Sequence, residues 1–188
     1  VTSSGVSCSM DTFEDYTGAL RRLSVIDDTE AWCPPVRSRT AIRRSARRGF
    51  SDPSLAAALL GLSPGDLELG MKTFGLMFLQ MCIRDLKAYT AGEKGRIASL
   101  HDRYGLEADI VLHLDDGRYA LIECRLGGSG IEKGAGQVIK IRDLIRKHNT
   151  EERQVMLREP DLLIVLTGGE MAYTRPDGVK VIPLGCLR

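Results

Sequence analysis

The reading of the fold turns on Gly105-Leu106-Glu107-Ala108-Asp109-Ile110-Val111-Leu112-His113-Leu114 and, across Asp115-Asp116-Gly117, on Tyr119-Ala120-Leu121-Ile122-Glu123-Cys124-Arg125-Leu126. Both runs are apolar or alternating over strand length, and Asp-Asp-Gly between them is a tight-turn signal, so the pair predicts a hairpin. Side chains two apart on a strand share a face, which groups Glu107 with Asp109 and Glu123 with Arg125. If the two faces coincide, three carboxylates and one guanidinium converge. Hard oxygens of that kind suit Mg²⁺, and a neighbouring cation steadies an attacking water or a phosphate charge. The plainer alternative is a set of cross-strand ion pairs, each worth about 0.2–1 kcal/mol, on a solvated sheet face.

Outward from the hairpin the period changes. Apolar residues at 74, 77, 78, 81, 82, 86 and 89 follow a helical period upstream, widened by Leu79 and Ile83, and predict a long, largely buried helix. Ile97–His101 reads as a further strand before the hairpin. Downstream, Gly127-Gly128-Ser129-Gly130 ends the sheet run, and Ile131–Lys147 reads as a helix with Ala135, Val138, Ile139, Ile141, Leu144 and Ile145 on one face. Leu162–Leu166 has the continuous apolar character of a fully buried strand. Met171–Thr174 and Val179–Ile182 form a last hairpin around Arg175-Pro176-Asp177-Gly178. Long helix, three-strand meander, crossover helix and further strand make an α/β core.

The first 51 residues differ in character. Phe13, Tyr16, Leu20 and Leu23 mark a short amphipathic helix, and the following segment suits exposed short strands, an order that fits the tail of a winged-helix unit. Asp52-Pro53 and Ser63-Pro64 are helix-start signals. The expected division is therefore a partial winged-helix or β-ribbon segment at 1–51 and an α/β domain at 52–188.

The 188 residues are 43% hydrophobic and 27% charged, which excludes disordered, collagenous and disulfide-scaffold classes. The net charge of +1 hides an asymmetry: 31–51 contains six arginines and no acid, and so stands at +6 against a remainder of −5. Five cysteines without a C-x-x-C pair argue against a zinc ribbon and fit a reducing cytoplasm. Neither a transmembrane run nor a signal peptide is expected, and the initial Val suggests a trimmed start.

Gly105-Leu106-Glu107-Ala108-Asp109 followed by Glu123-Cys124-Arg125-Leu126-Gly127-Gly128 resembles the G-x-E-x-D and E-x-K-x-G pattern of the PD-(D/E)XK nuclease superfamily. Asp52-Pro53-Ser54-Leu55-Ala56, Thr73-Phe74-Gly75 with Ile83-Arg84-Asp85-Leu86, and Val181-Ile182-Pro183-Leu184-Gly185 are similar to the nuclease-like domain at the C-terminus of prokaryotic AAA-type ATPases. The resemblance implies a restriction-endonuclease-like fold, Asp109 and Glu123 as ligands of Mg²⁺ or Mn²⁺, and Arg125 in the place of the motif lysine, the three together being the catalytic set. It also implies a DNA partner and a companion ATPase module, for which this chain has no G-x-x-x-x-G-K-[ST] loop.

Two departures weaken the catalytic expectation. Arginine stays protonated and cannot take a proton as a lysine can. Leu79 stands where the resemblance implies a glutamate after Phe78. The reading is thus a DNA-binding accessory domain with at most weak metal-dependent phosphodiester hydrolysis, or an inactive regulatory module for the ATPase.

The remaining candidates are Arg37, Arg39, Arg43, Arg44, Arg47 and Arg48 as a grip on a nucleic-acid backbone or as a docking face for acidic protein, with no aromatic residue between them to stack bases. Gln137 is either a polar helper at the site or a surface residue. Gly127–Gly130 is either an anion loop or a plain strand-to-helix turn. Cys124 is expected to be core, and His101, His113 and His148 have no zinc spacing.

Overall fold

The computed structural model describes residues 2–3, 6–32, 46–101, 105–151 and 156–187. Two short strands, β1 (Thr2–Ser3) and β2 (Val6–Ser7), pair with each other before helix α1 (Met10–Arg22). Strands β3 (Ile26–Ala31) and β4 (Arg47–Phe50) follow. The Asp-Pro and Ser-Pro signals then work as expected. Asp52 caps α2 (Pro53–Leu60) by accepting from the Ser54 N–H, and Ser63 with Asp66 forms a reciprocal capping box on α3 (Pro64–Leu69).

The long helix α4 (Met71–Tyr89) leads to β5 (Arg96–His101), β6 (Glu107–His113) and β7 (Tyr119–Arg125). Helix α5 (Ser129–Glu151) crosses to β8 (Leu162–Thr167), and β9 (Tyr173–Thr174) and β10 (Lys180–Pro183) close the chain. Strands β3 to β10 form one mixed sheet in the order β4-β3-β5-β6-β7-β8-β10-β9. The β5–β6–β7 meander is antiparallel, whereas β7–β8, β8–β10 and β3–β5 pair in parallel. The terminal hairpin is present, and its second strand also extends the sheet beside β8.

Helices cover both faces. On one side Val138, Ile141 and Ile145 of α5 pack with Leu100, Val111, Leu121 and Val165; on the other Phe78, Cys82, Ile83 and Leu86 of α4 pack with Ile110, Ile122, Cys124 and Leu166. Residues Tyr119 to Cys124 of β7 are all buried, as a strand sandwiched between two helical layers requires. The expectation of a largely buried α4 holds for one stripe only. Met71 and Leu76 are 55% and 63% exposed, because the sheet covers one side of the helix and α2 and α3 leave part of the other open.

The expected boundary after Ser51 lies within a continuous framework. β3 hydrogen-bonds to β5 at Glu30–Ala98 and Ala31–Ser99, and Lys87 of α4 reaches Asp27 at 2.6 Å. Strands β3 and β4 therefore extend the main sheet. No helix among the described residues is long and apolar enough to cross a membrane.

Candidate functional site

The site begins with a fault in the β5–β6 ladder. Ala98 pairs with Val111 and Leu100 with Ala108, so Asp109 and Ile110 together oppose the single residue Ser99. This bulge in β6 breaks strict alternation: Ala108 and Val111 both belong to the α5-side core, while Ile110 belongs to the α4-side core. It leaves the Asp109 N–H free to donate to Glu123 Oε1 at 3.1 Å. Asp109 Oδ2 in turn accepts from the Cys124 N–H at 3.0 Å, so each carboxylate is tied to the other residue's strand.

Arg125 spans the pair. Its Nη1 donates to Asp109 Oδ2 at 2.9 Å and to the Cys124 carbonyl at 2.8 Å, and its Nη2 makes a close contact with Glu123 Oε2. The structure thus brings together Asp109, Glu123 and Arg125. Glu107 does not join them: it lies 3.5 Å from His101 at the other end of the bulge, so the sequence expectation of three convergent carboxylates reduces to two.

Arg47 of β4 joins from 62 positions away in sequence. Its Nη1 stands 3.4 Å from the Asp109 carbonyl and 3.5 Å from Asp109 Oδ1. Asp109 therefore faces two guanidiniums, the nearer being Arg125.

Glu123 is fully buried. Its carboxyl is pushed up to about 8, first by burial and then by the negative charge of Asp109, which together outweigh the pull of Arg125. At neutral pH the proton-bearing form of Glu123 predominates, while Arg125 and Arg47 both reach Asp109. This donor set does not fit a divalent cation. Asp109 Oδ2 and both Glu123 oxygens already accept hydrogen bonds, and the guanidinium lies between the two carboxyls where a shared ion would bridge them. Among the described residues no group of three or more His, Cys, Asp and Glu could hold a metal.

Leu79 lines, with Asp109 and Arg47, a cavity of about 500 Å³ between β4, α2 and α4. The helix position that the resemblance assigns to an acid thus lines the same cavity as Asp109, but it presents a hydrocarbon. Cys124 is buried in the α4-side core, and a hydrogen bond with Cys82 together with burial raises its thiol well above the ordinary range, which makes it an inert core residue. Gln137 is half-buried on α5, and its buried Oε1 has no hydrogen-bond partner among the described residues, so it is not a plain surface glutamine. In the glycine loop the Gly130 and Ile131 N–H groups donate to the Gly127 and Gly128 carbonyls, which makes it a strand-to-helix turn.

Gly134 sets how closely α5 approaches this site. A Cβ there would stand 3.2 Å from Glu123 Cβ and 3.2 Å from Arg125 Cγ. Gly134→Val should cost about 1–3 kcal/mol by overpacking, read as a lower denaturation midpoint at unchanged slope. An unchanged midpoint would show that α5 can lift off the sheet freely.

Of the six arginines expected to grip nucleic acid, Arg37, Arg39, Arg43 and Arg44 lie outside the described residues. Arg47 is the Asp109 partner above; Arg48 lies over the Phe13 ring at 5.4 Å and 3.6 Å from Asp28. Nothing in the local sequence distinguishes Arg47 from its neighbours as a member of the carboxylate site, since its contact depends on how β4 and β6 are placed in the sheet.

Comparison with protein families matches residues 2–66 to a domain of unknown function (DUF8612). That stretch includes α1, β3, β4 and α2 and contains Arg47, but ends before Leu79, Asp109, Glu123 and Arg125. Neither the curated proteins nor the solved structures give a match.

Proposed function

We propose that the chain is a restriction-endonuclease-like module that binds without cutting: an accessory DNA-binding domain that works with an AAA-type ATPase, its carboxylate site closed by an internal cation. The observation that carries this reading is the Arg125 guanidinium lying between Asp109 and Glu123. Leu79 in the cavity that Asp109 lines supports it, because a hydrocarbon stands there where the resemblance implies an oxygen donor. The order of α4, the β5–β6–β7 meander, α5 and β8, with the acid pair on β6 and β7, is what the PD-(D/E)XK resemblance implies for the core. The DNA partner is supported by the six arginines between 37 and 48, and the companion ATPase by the sequence resemblance.

Two measurements test the reading. In calorimetry the unaltered protein should give no saturable heat with Mg²⁺ or Mn²⁺, and the Leu79→Glu/Arg125→Lys double variant should acquire Mn²⁺ binding. Tight binding by the unaltered protein, or Glu123-dependent cleavage of DNA or RNA with either metal, would refute the closed site. In fluorescence anisotropy duplex DNA should bind with a log–log salt slope no steeper than about −5, from at most six phosphate contacts at about 0.9 each. Arg43→Glu/Arg44→Glu should flatten that slope by about 2. An unchanged slope would remove DNA as the partner of the arginine segment.

A further inference from the structure

The cavity beside Asp109 has the wrong lining for a phosphodiester backbone and the right one for something else. Its volume of about 500 Å³ lies within the range of small-molecule sites, about 300–1,000 Å³. Phe50, Ala56, Leu60, Leu76, Met77 and Leu79 line it with apolar side chains, while Arg47 and Asp109 stand together and Arg48 adds a second guanidinium. Thr73 and Gln80 are the uncharged polar side chains among the described lining residues, too few to read a nucleobase edge beside a sugar. Gln80 is pressed onto β4: a Cβ at Gly49 would come within 2.0 Å of its Oε1, so the glycine is what lets the amide lie against the strand.

The charge at the polar end has a definite sign. Asp109 is claimed first by Arg125 at 2.9 Å, and Arg47 is a second, more distant cation at 3.5 Å. Among the lining side chains two guanidiniums, Arg47 and Arg48, stand against one carboxylate, Asp109. Arg47 reaches Asp109 through Nη1 alone, and its side chain keeps 31% exposure. A planar fork of donors whose charge is incompletely answered is a receptor for a carboxylate.

We propose that this cavity binds a medium-chain alkyl carboxylate, with the chain held between α2 and α4 and the carboxylate on Arg47. The chain removes the exposed apolar surface of Leu60 and Leu76 from water, and the head replaces water at a partly answered guanidinium. The site draws on the geometry of the cavity alone and stands whether or not the protein binds DNA.

The test uses the full 188-residue chain with sodium decanoate, decyltrimethylammonium and deoxyguanosine monophosphate as probes, the two surfactants below their micelle concentrations. Methyl NMR should show saturable decanoate shifts at Leu60, Met77 and Leu79, and calorimetry should find the cationic probe at least tenfold weaker. Arg47→Gln should weaken decanoate about tenfold, the size of one charge-assisted hydrogen bond, and Arg47→Lys should recover part of the loss. Ala56→Trp should abolish binding by filling the cavity. If that variant does not fold, the methyl shifts and the Arg47 pair still decide. Equal affinity for the cationic probe, shifts away from the cavity, no decanoate binding, or nucleotide binding at these methyls in place of decanoate would each overturn the proposal.

Discussion

Arg125→Met should destabilise the protein by about 3–5 kcal/mol at pH 9 and by roughly half of that at pH 6, measured by urea denaturation at the two pH values. Methionine keeps much of the apolar stem while removing the charge. What is left behind is Glu123, fully buried, with the Asp109 N–H as its remaining hydrogen-bond donor. At pH 9 its ionised form would be a buried charge without a counterion, the costly half of a broken pair. At pH 6 the carboxyl holds its proton, and the loss falls mainly on Asp109, which still has Arg47 at 3.5 Å. Protonation caps the penalty, because Glu123 takes up a proton when its ionisation becomes too costly. Arg125→Lys should recover part of the stability, since one ammonium can face one carboxyl but cannot fork across two. Equal losses at both pH values would show that Arg125 acts through packing and not through its charge.

The residues that define this cluster differ in how legible they are. Glu123 and Arg125 could be paired from spacing alone, because β7 runs without interruption and positions two apart share its face. Glu107 and Asp109 could not, because the bulge at Asp109–Ile110 breaks the two-residue period of the strand, and no turn residue or glycine marks it. The helix and strand order from 63 onward was legible because each period persists over several turns or is bounded by Gly-rich and Asp-Pro or Ser-Pro signals. The N-terminal ribbon was harder. β3 reads as polar Asp27-Asp28-Thr29-Glu30, yet it joins the sheet between β4 and β5 because lysine and arginine partners, Lys87 for Asp27 and Arg21 for Asp28, answer its acids. The composition of its segment marks Arg47 as a phosphate contact, and only the β3–β5 pairing carries β4 close enough for it to meet Asp109. Departures from the motif, Arg125 and Leu79, were visible in the sequence; the consequence that needs coordinates is that one guanidinium reaches both carboxyls at once.

Glu123→Gln should flatten the dependence of stability on pH. In the unfolded chain Glu123 titrates near 4.5, whereas in the folded protein it titrates near 8. Below about 4.5 both states hold the proton; between about 4.5 and 8 the folded state keeps it and the unfolded state releases it. The stabilising contribution is therefore complete at low pH and is lost as pH rises through 8. A shift of that size corresponds to about 3–5 kcal/mol across the window, which glutamine cannot supply or lose. The amide oxygen of glutamine can still accept from Asp109 N–H, but its NH₂ meets Arg125 donor to donor, so at pH 5 the variant should be weaker by about 1–3 kcal/mol. At pH 8.5 the order should reverse, with the variant the more stable. Asp52, held down to about 2 by hydrogen bonds from Ser54 and by Arg84, titrates alike in both proteins and cancels in the difference. Two parallel stability curves between pH 5 and 9 would mean that Glu123 is ionised throughout, held so by Arg125, and that the site carries a permanent buried ion pair.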